Sequence, residues 1–559
     1  MIAFVEQDMN NRNKKTLKDL ESKANKGELF PTFQLYQNFK DGLNNIEKDK
    51  EKSELYFKEC VNYINKRKPV NKLVLDELEL IDFRSFKHFK GSFESDLTVI
   101  IGNNGQGKTS ILNSIAKTLS WLTSNISKED GAGQRVSDIY DINRNSAGRY
   151  ADILTNFSFG NGAKRITARL SRSAAGTSNK RDSDVKQLKE FANIFRIIND
   201  NEIVNLPLLG FYSVERSHPI SKSNKESSEL RDDRFDAYTS SLSGAGKFEH
   251  FIEWFISLNK KAKKDSSHEI FELQQQVEAL ELSVTNGINS LKPILEETKK
   301  KLVVSKLKYQ TAKENQTLTD SQRLRVVVSA ICKIIPSINN IWVETDSGSD
   351  IVMIDNDSTI IRVEQLSDGQ RVFLSLVSDI VRRLIMLNPK LDNPLEGIGI
   401  LLIDEVELHL HPKWQQNIVP DLQKAFPNLQ LIITTHSPLV LSTIDKRNIR
   451  LFENNDLAES IELSKPEFQT KGVINSDVLE QLMGTFASPQ NIEETHFISD
   501  FEKALQNGIF KDNKVAQEYY SKITSHFGEN SSEVKKCQSL IRIQLMKDQV
   551  QSKIRSKNS

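Results

Sequence analysis

Gly102-Asn103-Asn104-Gly105-Gln106-Gly107-Lys108-Thr109 has the residue types and spacing to hold a phosphate. Glycines let backbone N–H groups close around phosphate oxygens, and a helix starting behind them favours anions. Lys108 is then placed to reach the β- and γ-phosphates of ATP, and the Thr109 hydroxyl to coordinate Mg²⁺, with Ser110 completing the cradle. Far downstream, Ile400-Leu401-Leu402-Ile403 runs into Asp404-Glu405. Asp404 is expected to hold Mg²⁺, directly or through water, and Glu405 to orient or deprotonate an attacking water. A third run, Leu429 to Thr434, leads to Thr435-His436-Ser437-Pro438, where His436 could touch the γ-phosphate. Lys108, Glu405 and His436 are thus the candidate catalytic residues.

These side chains need elements to position them. Leu97-Thr98-Val99-Ile100-Ile101 is an apolar, β-branched run, as a buried parallel strand requires. Ile111, Leu112, Ile115, Leu119 and Leu122 then recur at helical spacing. Strand, glycine loop and helix form the context in which the pattern becomes a phosphate cradle. The acidic pair and His436 each follow an apolar strand, at the edge where open α/β sheets bind ligands. Taken singly, the carboxylates could be solvent-facing and the histidine a polar cap; their co-occurrence with the glycine loop argues against both readings.

Leu366-Ser367-Asp368-Gly369-Gln370 departs from an LSGGQ signature only by Asp368 in place of glycine. With the three motifs above and Phe83-Arg84-Ser85-Phe86, it resembles the ABC-type ATPase heads of the SMC, RecF and OLD groups. The stretch Asp404-Glu405-Val406-Glu407-Leu408-His409-Leu410-His411-Pro412 is similar to the bacterial branch with OLD-like and defence ATPases. The resemblance implies an α/β head, a P-loop mixed sheet with helices, in which two subunits sandwich two ATPs. Ser367, Gly369 and Gln370 would act on nucleotide in trans, and Arg84 would lie near it. Gln134 is a candidate for the glutamine that senses the γ-phosphate in such heads. The resemblance makes His409 and His411 part of a dimer-contacting loop, and no cysteine or third histidine lies close in sequence to complete a metal set.

The 559 residues leave room for several domains, and a net charge of +1 excludes a global basic field. Any nucleic-acid contact must come from a local patch or a partner; the lysines at 260, 261, 263 and 264 and at 299 to 301 read first as solvated helix faces. Three dispersed cysteines form no disulfide framework, no secretion signal opens the chain, and no apolar run approaches the ~20 residues of a membrane span. The expected location is the cytoplasm.

The organisation reads as five parts. Residues 1–70 form a helical module resembling one Sel1/TPR-like repeat; a single repeat cannot bury both faces, so it should pack on the head or a partner. Residues 71–244 are head lobe I with the P-loop, including a hairpin turning at Asn161-Gly162. Residues 245–335 are a helical insertion: Ile270, Leu273, Val277, Leu280, Val284 and Ile288 mark a first arm about 27 Å long, turned at Asn286-Gly287. Residues 336–450 are lobe II with signature, acidic strand and histidine, and 451–559 a helical partner-binding region. Gly244-Ala245-Gly246-Lys247 follows no strand and is discounted as a second P-loop.

The overall layout, with Val473 to Gly484 ahead of charged helices, resembles the PtuA-type ATPases of Septu and retron-associated anti-phage systems. That resemblance implies a homodimer working with a PtuB-like HNH nuclease, and in retron versions with a reverse transcriptase and its multicopy DNA–RNA. A RecF/SMC-like DNA-repair ATPase is the alternative. An OLD-like ATPase-nuclease fits less well, because no strand ending in Asp-x-Asp follows His436. A transporter subunit is disfavoured by the roughly 260 residues between P-loop and signature.

Overall fold

Left-handed glycines set the first turns of the chain. Helix α1 (16–25) is followed by Gly27 at φ +81°, and α2 (Leu29–Asp41) ends at Gly42 at φ +72°, a conformation that residues with a Cβ resist. Helix α3 (Lys50–Ile64) starts at Asp49, whose carboxylate accepts the Lys52 N–H. Ala24, Leu35 and Phe39 bury between these helices, with Leu17, Leu20, Ile46 and Tyr56 around them. The module also packs on residues that follow it: Phe30 stacks on Phe191 at 5.6 Å, and Asn65 accepts the Asn205 N–H at 2.9 Å.

This computed structural model describes residues 16–65, 72–145, 148–160, 164–177, 181–217, 233–244, 248–263, 266–286, 288, 291–314, 318–346, 348–455, 460–485 and 489–558. The turn at Asn161-Gly162, Gly287, Ala245 to Lys247 and residues 66–71 lie outside them, as do the first fifteen residues. The chain divides into two units, Met1–Gly472 and Val473–Ser559.

In the first unit the helical module leads into β1 (Leu73–Phe83), β2 (Phe86–Ser92), β3 (Leu97–Ile101) and α4 (Lys108–Ser127). Next come β4 (Tyr150–Phe159), β5 (Lys164–Ser173), α5 (Lys186–Asn201) and β6 (Leu208–Tyr212). Four helices follow: α6 (Phe248–Lys263), α7 (Ser266–Thr285), α8 (Lys292–Glu314) and α9 (Asp320–Ile334). A small sheet of β7 (Ile338–Asp346), β8 (Ser349–Asn356) and β9 (Thr359–Arg362) then delivers α10 (Asp368–Leu387). The remainder is β10 (Gly399–Ile403), α11 (Pro412–Gln415), α12 (Ile418–Ala425), β11 (Leu429–Thr434), α13 (Pro438–Leu441), β12 (Ile449–Asn455) and β13 (Ser460–Ser464).

Ten strands make one mixed sheet in the order β5-β4-β1-β2-β13-β12-β3-β11-β10-β6. From β12 to β6 all neighbours are parallel. Every residue of β3, β6, β10 and β11 is buried, which explains why these strands are mostly apolar instead of alternating. One polar side chain in this layer, Gln430 on β11, is fully satisfied: it bonds both backbone groups of Leu75 on β1 and the Glu94 carbonyl. The sheet therefore sets β1 against the parallel strands through a buried amide.

One expectation changes. The last two strands of the sheet, β12 and β13, occupy much of 449–464, so a helical region does not begin at 451. Ile449 to Leu451 pair in parallel with Val99 to Ile101, and this ladder to β3 holds the segment extended. Ahead of the signature, β9 joins β7 and β8 because Asp357 and Ser358 both take positive φ and form the two-residue turn that matches strand twist.

Helices α7 and α8 form an antiparallel hairpin, linked by Lys299 to Glu281 at 2.9 Å. The 20 residues of α7 make an arm of about 30 Å. Lys260 and Lys301 likewise pair with Asp350 and Glu297, as exposed helix faces do. The second unit comprises α14 (Asn475–Met483), α15 (Phe497–Gln506), α16 (Lys514–Phe527) and α17 (Ser532–Asn558), with a core of Phe501, Leu505, Ala516, Ile523, Val534 and Cys537.

Candidate active site

Register brings three distant motifs to one edge. Ile433 of β11 lies beside Val99 of β3 and Ile403 of β10, so residues 102, 404 and 435 leave the sheet together. The loop after β3 turns through Gly105 and Gly107, at φ +83° and +98°, into α4. A Cβ at Gly107 would collide with the Phe86 ring, and one at Gly102 with the Gln106 amide. The glycines thus permit close packing as well as positive φ. Gln106 Oε1 accepts the Asn103 N–H at 2.7 Å, and Asn103 and Asn104 are exposed.

Lys108 is 7% exposed and donates to the carbonyls of Gly102 at 2.8 Å and Asn103 at 3.0 Å. Burial lowers its pKa, while Asp404, Glu405 and Glu407 pull the other way. Thr109 Oγ1 donates to Asp404 Oδ2 at 2.7 Å, joining residues 295 apart. Thr434 Oγ1 donates to the other oxygen, Oδ1, at 2.5 Å and accepts the Glu405 N–H at 2.8 Å. Asp404 is buried and held on both oxygens. The Glu405 carboxylate is half-buried and makes no hydrogen bond among the described residues. A hydroxyl and a carboxylate side by side are hard oxygen ligands of the kind Mg²⁺ prefers.

His436 joins the same edge through its backbone, donating its N–H to Glu407 Oε1 at 2.5 Å; Thr435 Oγ1 donates to Glu407 Oε2 at 2.8 Å. Arg84, at φ +52° in the β1–β2 turn, donates from Nε to Asp141 Oδ1 at 3.0 Å. Lys117 of α4 pairs with Asp141 Oδ2 at 3.0 Å. Burial alone would push Asp141 up, but the Ser137 N–H, Lys117 and Arg84 hold it below the usual carboxylate range. Gln134 is exposed, its backbone tied to Ser120 and Trp121 of α4.

The signature residues form a separate constellation. Ser367 caps α10 in a capping box with Gln370, whose amide also reaches Asn356 at 3.0 Å. Among the described residues, no hydrogen bond joins Ser367, Gly369 or Gln370 to residues 102–110. Gly369 lies hard against the His409 carbonyl, and His409 itself takes φ +62°. His411 caps α11, its Nδ1 accepting the Lys413 N–H at 3.3 Å.

Residues 97–442 match the protein family described as "AAA domain, putative AbiEii toxin, Type IV TA system". The chain is 31% identical to "Retron Ec83 probable ATPase" of Escherichia coli, over 94% of this chain and 95% of that protein. It is also 31% identical to "Retron Vc95 probable ATPase" of Vibrio cholerae, over 88% and 94%. The chain belongs to the PtuA-type, retron-associated ATPases. "Septu protein PtuA" of Bacillus mycoides shares 39% identity over 21% of this chain and 16% of that protein. Among solved structures, the Smc head domain of Pyrococcus furiosus bound to the C-terminal domain of ScpA matches 70% of this chain and 96% of that one, with TM-score 0.39 and 16% identity.

This ATPase head holds three residues that motif reading passed over. Glu407 was visible only as part of the acidic run. Asp141 lies in a polar stretch without a motif, yet it is 1% exposed. Arg216, after β6, had no motif at all; burial lowers its pKa to about 10, against the pull of Asp404, Glu407 and Glu405. No helix among the described residues is long and apolar enough to cross a membrane.

Proposed function

We propose that this chain hydrolyses ATP to ADP and phosphate in a head-to-head homodimer, and so regulates an associated nuclease in an anti-phage system. The observation that carries the reading is the Thr109–Asp404 bond at 2.7 Å beside a buried Lys108 surrounded by three carboxylates. Lys108 and the N–H groups of residues 102 to 110 bind the phosphates. Thr109 and Asp404 hold Mg²⁺, which when bound supplies positive charge against the phosphate oxygens. Glu405, whose carboxylate makes no hydrogen bond among the described residues, orients the water and accepts its proton as the bond to the γ-phosphorus forms and ADP leaves. His436, anchored through its N–H to Glu407, contacts the γ-phosphate. Ser367, Gly369 and Gln370 complete the site of the opposite subunit, and Arg84 stands beside the nucleotide.

The relatives' names support the biological half of the proposal, two being named for retrons and others for Septu. The partners proposed are a PtuB-like HNH nuclease and, in the retron form, a reverse transcriptase with its multicopy DNA–RNA. The absence of an Asp-x-Asp strand after His436 supports placing nuclease chemistry in a partner. The deciding experiment purifies the tagged chain from its native operon and identifies bound protein and nucleic acid. An HNH protein retained with the ATPase supports the reading; recombination proteins, or duplex DNA without a nuclease, would replace it with the DNA-repair alternative.

A further inference from the structure

Glu405 has a backbone problem. Its φ is +45°, a region that an L-residue adopts only under strain, so something must hold the turn in place. One clamp is visible in the ladder: the Asp404 N–H donates to the Tyr212 carbonyl at 2.8 Å and the Glu405 N–H to Thr434 Oγ1. Those bonds fix the two amides. The two carbonyls are fixed by one side chain. Arg216 Nη1 donates to the Asp404 carbonyl at 2.6 Å and Nη2 to the Glu405 carbonyl at 2.6 Å.

Arg216 can do this because of where it starts. It lies in the short 3₁₀ turn Val214–Ser217, directly after β6, the strand paired with β10. Its Nη1 also donates to the Ser213 carbonyl at 2.9 Å, anchoring the fork to its own turn. The residue is 8% exposed, so its charge is largely removed from water and spent on carbonyl oxygens. A planar fork with parallel N–H groups can span two consecutive carbonyls; an ammonium cannot reproduce that geometry.

We propose that Arg216 is a positioning residue of the ATPase reaction, setting the direction of the Glu405 carboxylate by clamping the carbonyls of Asp404 and Glu405. It touches neither phosphate nor water in this role. The inference rests on Glu405 being the base, and the test keeps the two apart. Because a small shift of a catalytic group loses rate far more than binding, the signature is a split between turnover and nucleotide affinity.

Arg216→Gln and Arg216→Lys would be compared with the unaltered chain for single-turnover ATP hydrolysis, ATP affinity and thermal midpoint. The expected result is at least a tenfold loss of rate in Arg216→Gln with ATP affinity within threefold, and partial recovery in Arg216→Lys. In a Glu405→Gln background, adding Arg216→Gln should cost nothing further, since the residue acts through Glu405. A folded Arg216→Gln with unchanged rate overturns the proposal. So does a loss in Arg216→Gln that repeats in full on top of Glu405→Gln, or one that falls equally on affinity and rate. If Arg216→Gln does not fold, Arg216→Lys decides: a lowered rate at retained affinity supports the clamp, and full activity overturns it. If Glu405→Gln alone hydrolyses normally, the assignment of the base has failed, whatever Arg216 does.

Discussion

In the proposed reaction Glu405 and Lys108 have separable tasks. Glu405 makes no hydrogen bond through its carboxylate among the described residues, whereas Lys108 is buried in the glycine loop. Glu405→Gln keeps the shape and removes the base, so ATP should still bind while turnover falls about 100-fold or more, read by equilibrium binding against steady-state hydrolysis. Lys108→Ala removes the phosphate contact and should weaken ATP binding at least tenfold in the same titration. Asp141 carries a pH signature. Its carboxyl is held below the usual range, so the folded chain gives up that proton more readily than the unfolded chain. The stabilisation is present above about pH 4 and is lost as pH falls through the lower folded value. Asp141→Asn should flatten that portion of the acid limb in a series of urea unfolding curves; an identical limb would show that the Arg84–Asp141–Lys117 cluster contributes nothing.

At the scale of elements, two contacts tie α10 to the acidic strand and its neighbour. Gly369 in its first turn abuts the His409 carbonyl, in the loop after β10. Asp379, two turns and more along, accepts the Tyr212 hydroxyl at 2.8 Å and pairs with Arg382 and Arg383, all buried. Gly369→Ala has no room, and overpacking of this kind costs about 1–3 kcal/mol. It should lower the thermal midpoint in the isolated chain, a loss separate from any role in trans; an unchanged midpoint would mean the loop yields freely. Tyr212→Phe removes the hydroxyl from a buried carboxylate and should destabilise by about 1–3 kcal/mol in urea unfolding. The phosphate loop and acidic strand were legible because each is a local pattern: an apolar run followed by residues of fixed type. The strands at 449–464 were not, since their pairing with β3 and β2 is a property of the sheet and not of their own residues.

At the scale of the whole molecule, the proposed dimer makes a prediction the single chain can answer. If the signature of one subunit closes on the phosphate loop of another, Glu405→Gln with ATP and Mg²⁺ should run at twice the monomer mass in size-exclusion light scattering, and return to monomer when ATP is omitted. A constant mass in both conditions would remove the head-to-head arrangement from the proposal.

The sequence alone determined the glycine loop, the acidic pair and the order in which they occur. Short-range backbone demands dictate those residues: glycine where φ is positive, β-branched residues where both faces are buried, a carboxylate at a strand's end. Tertiary structure alone decided that Asp141 grips Arg84, that Gln430 bonds Leu75, that Gly369 meets His409 and that Arg216 clamps the carbonyls of Asp404 and Glu405. Each of these joins residues far apart in the chain, and three of the four end on main-chain atoms. Every residue carries such atoms, so they leave no trace in its type; only the folded register reveals which side chain they meet.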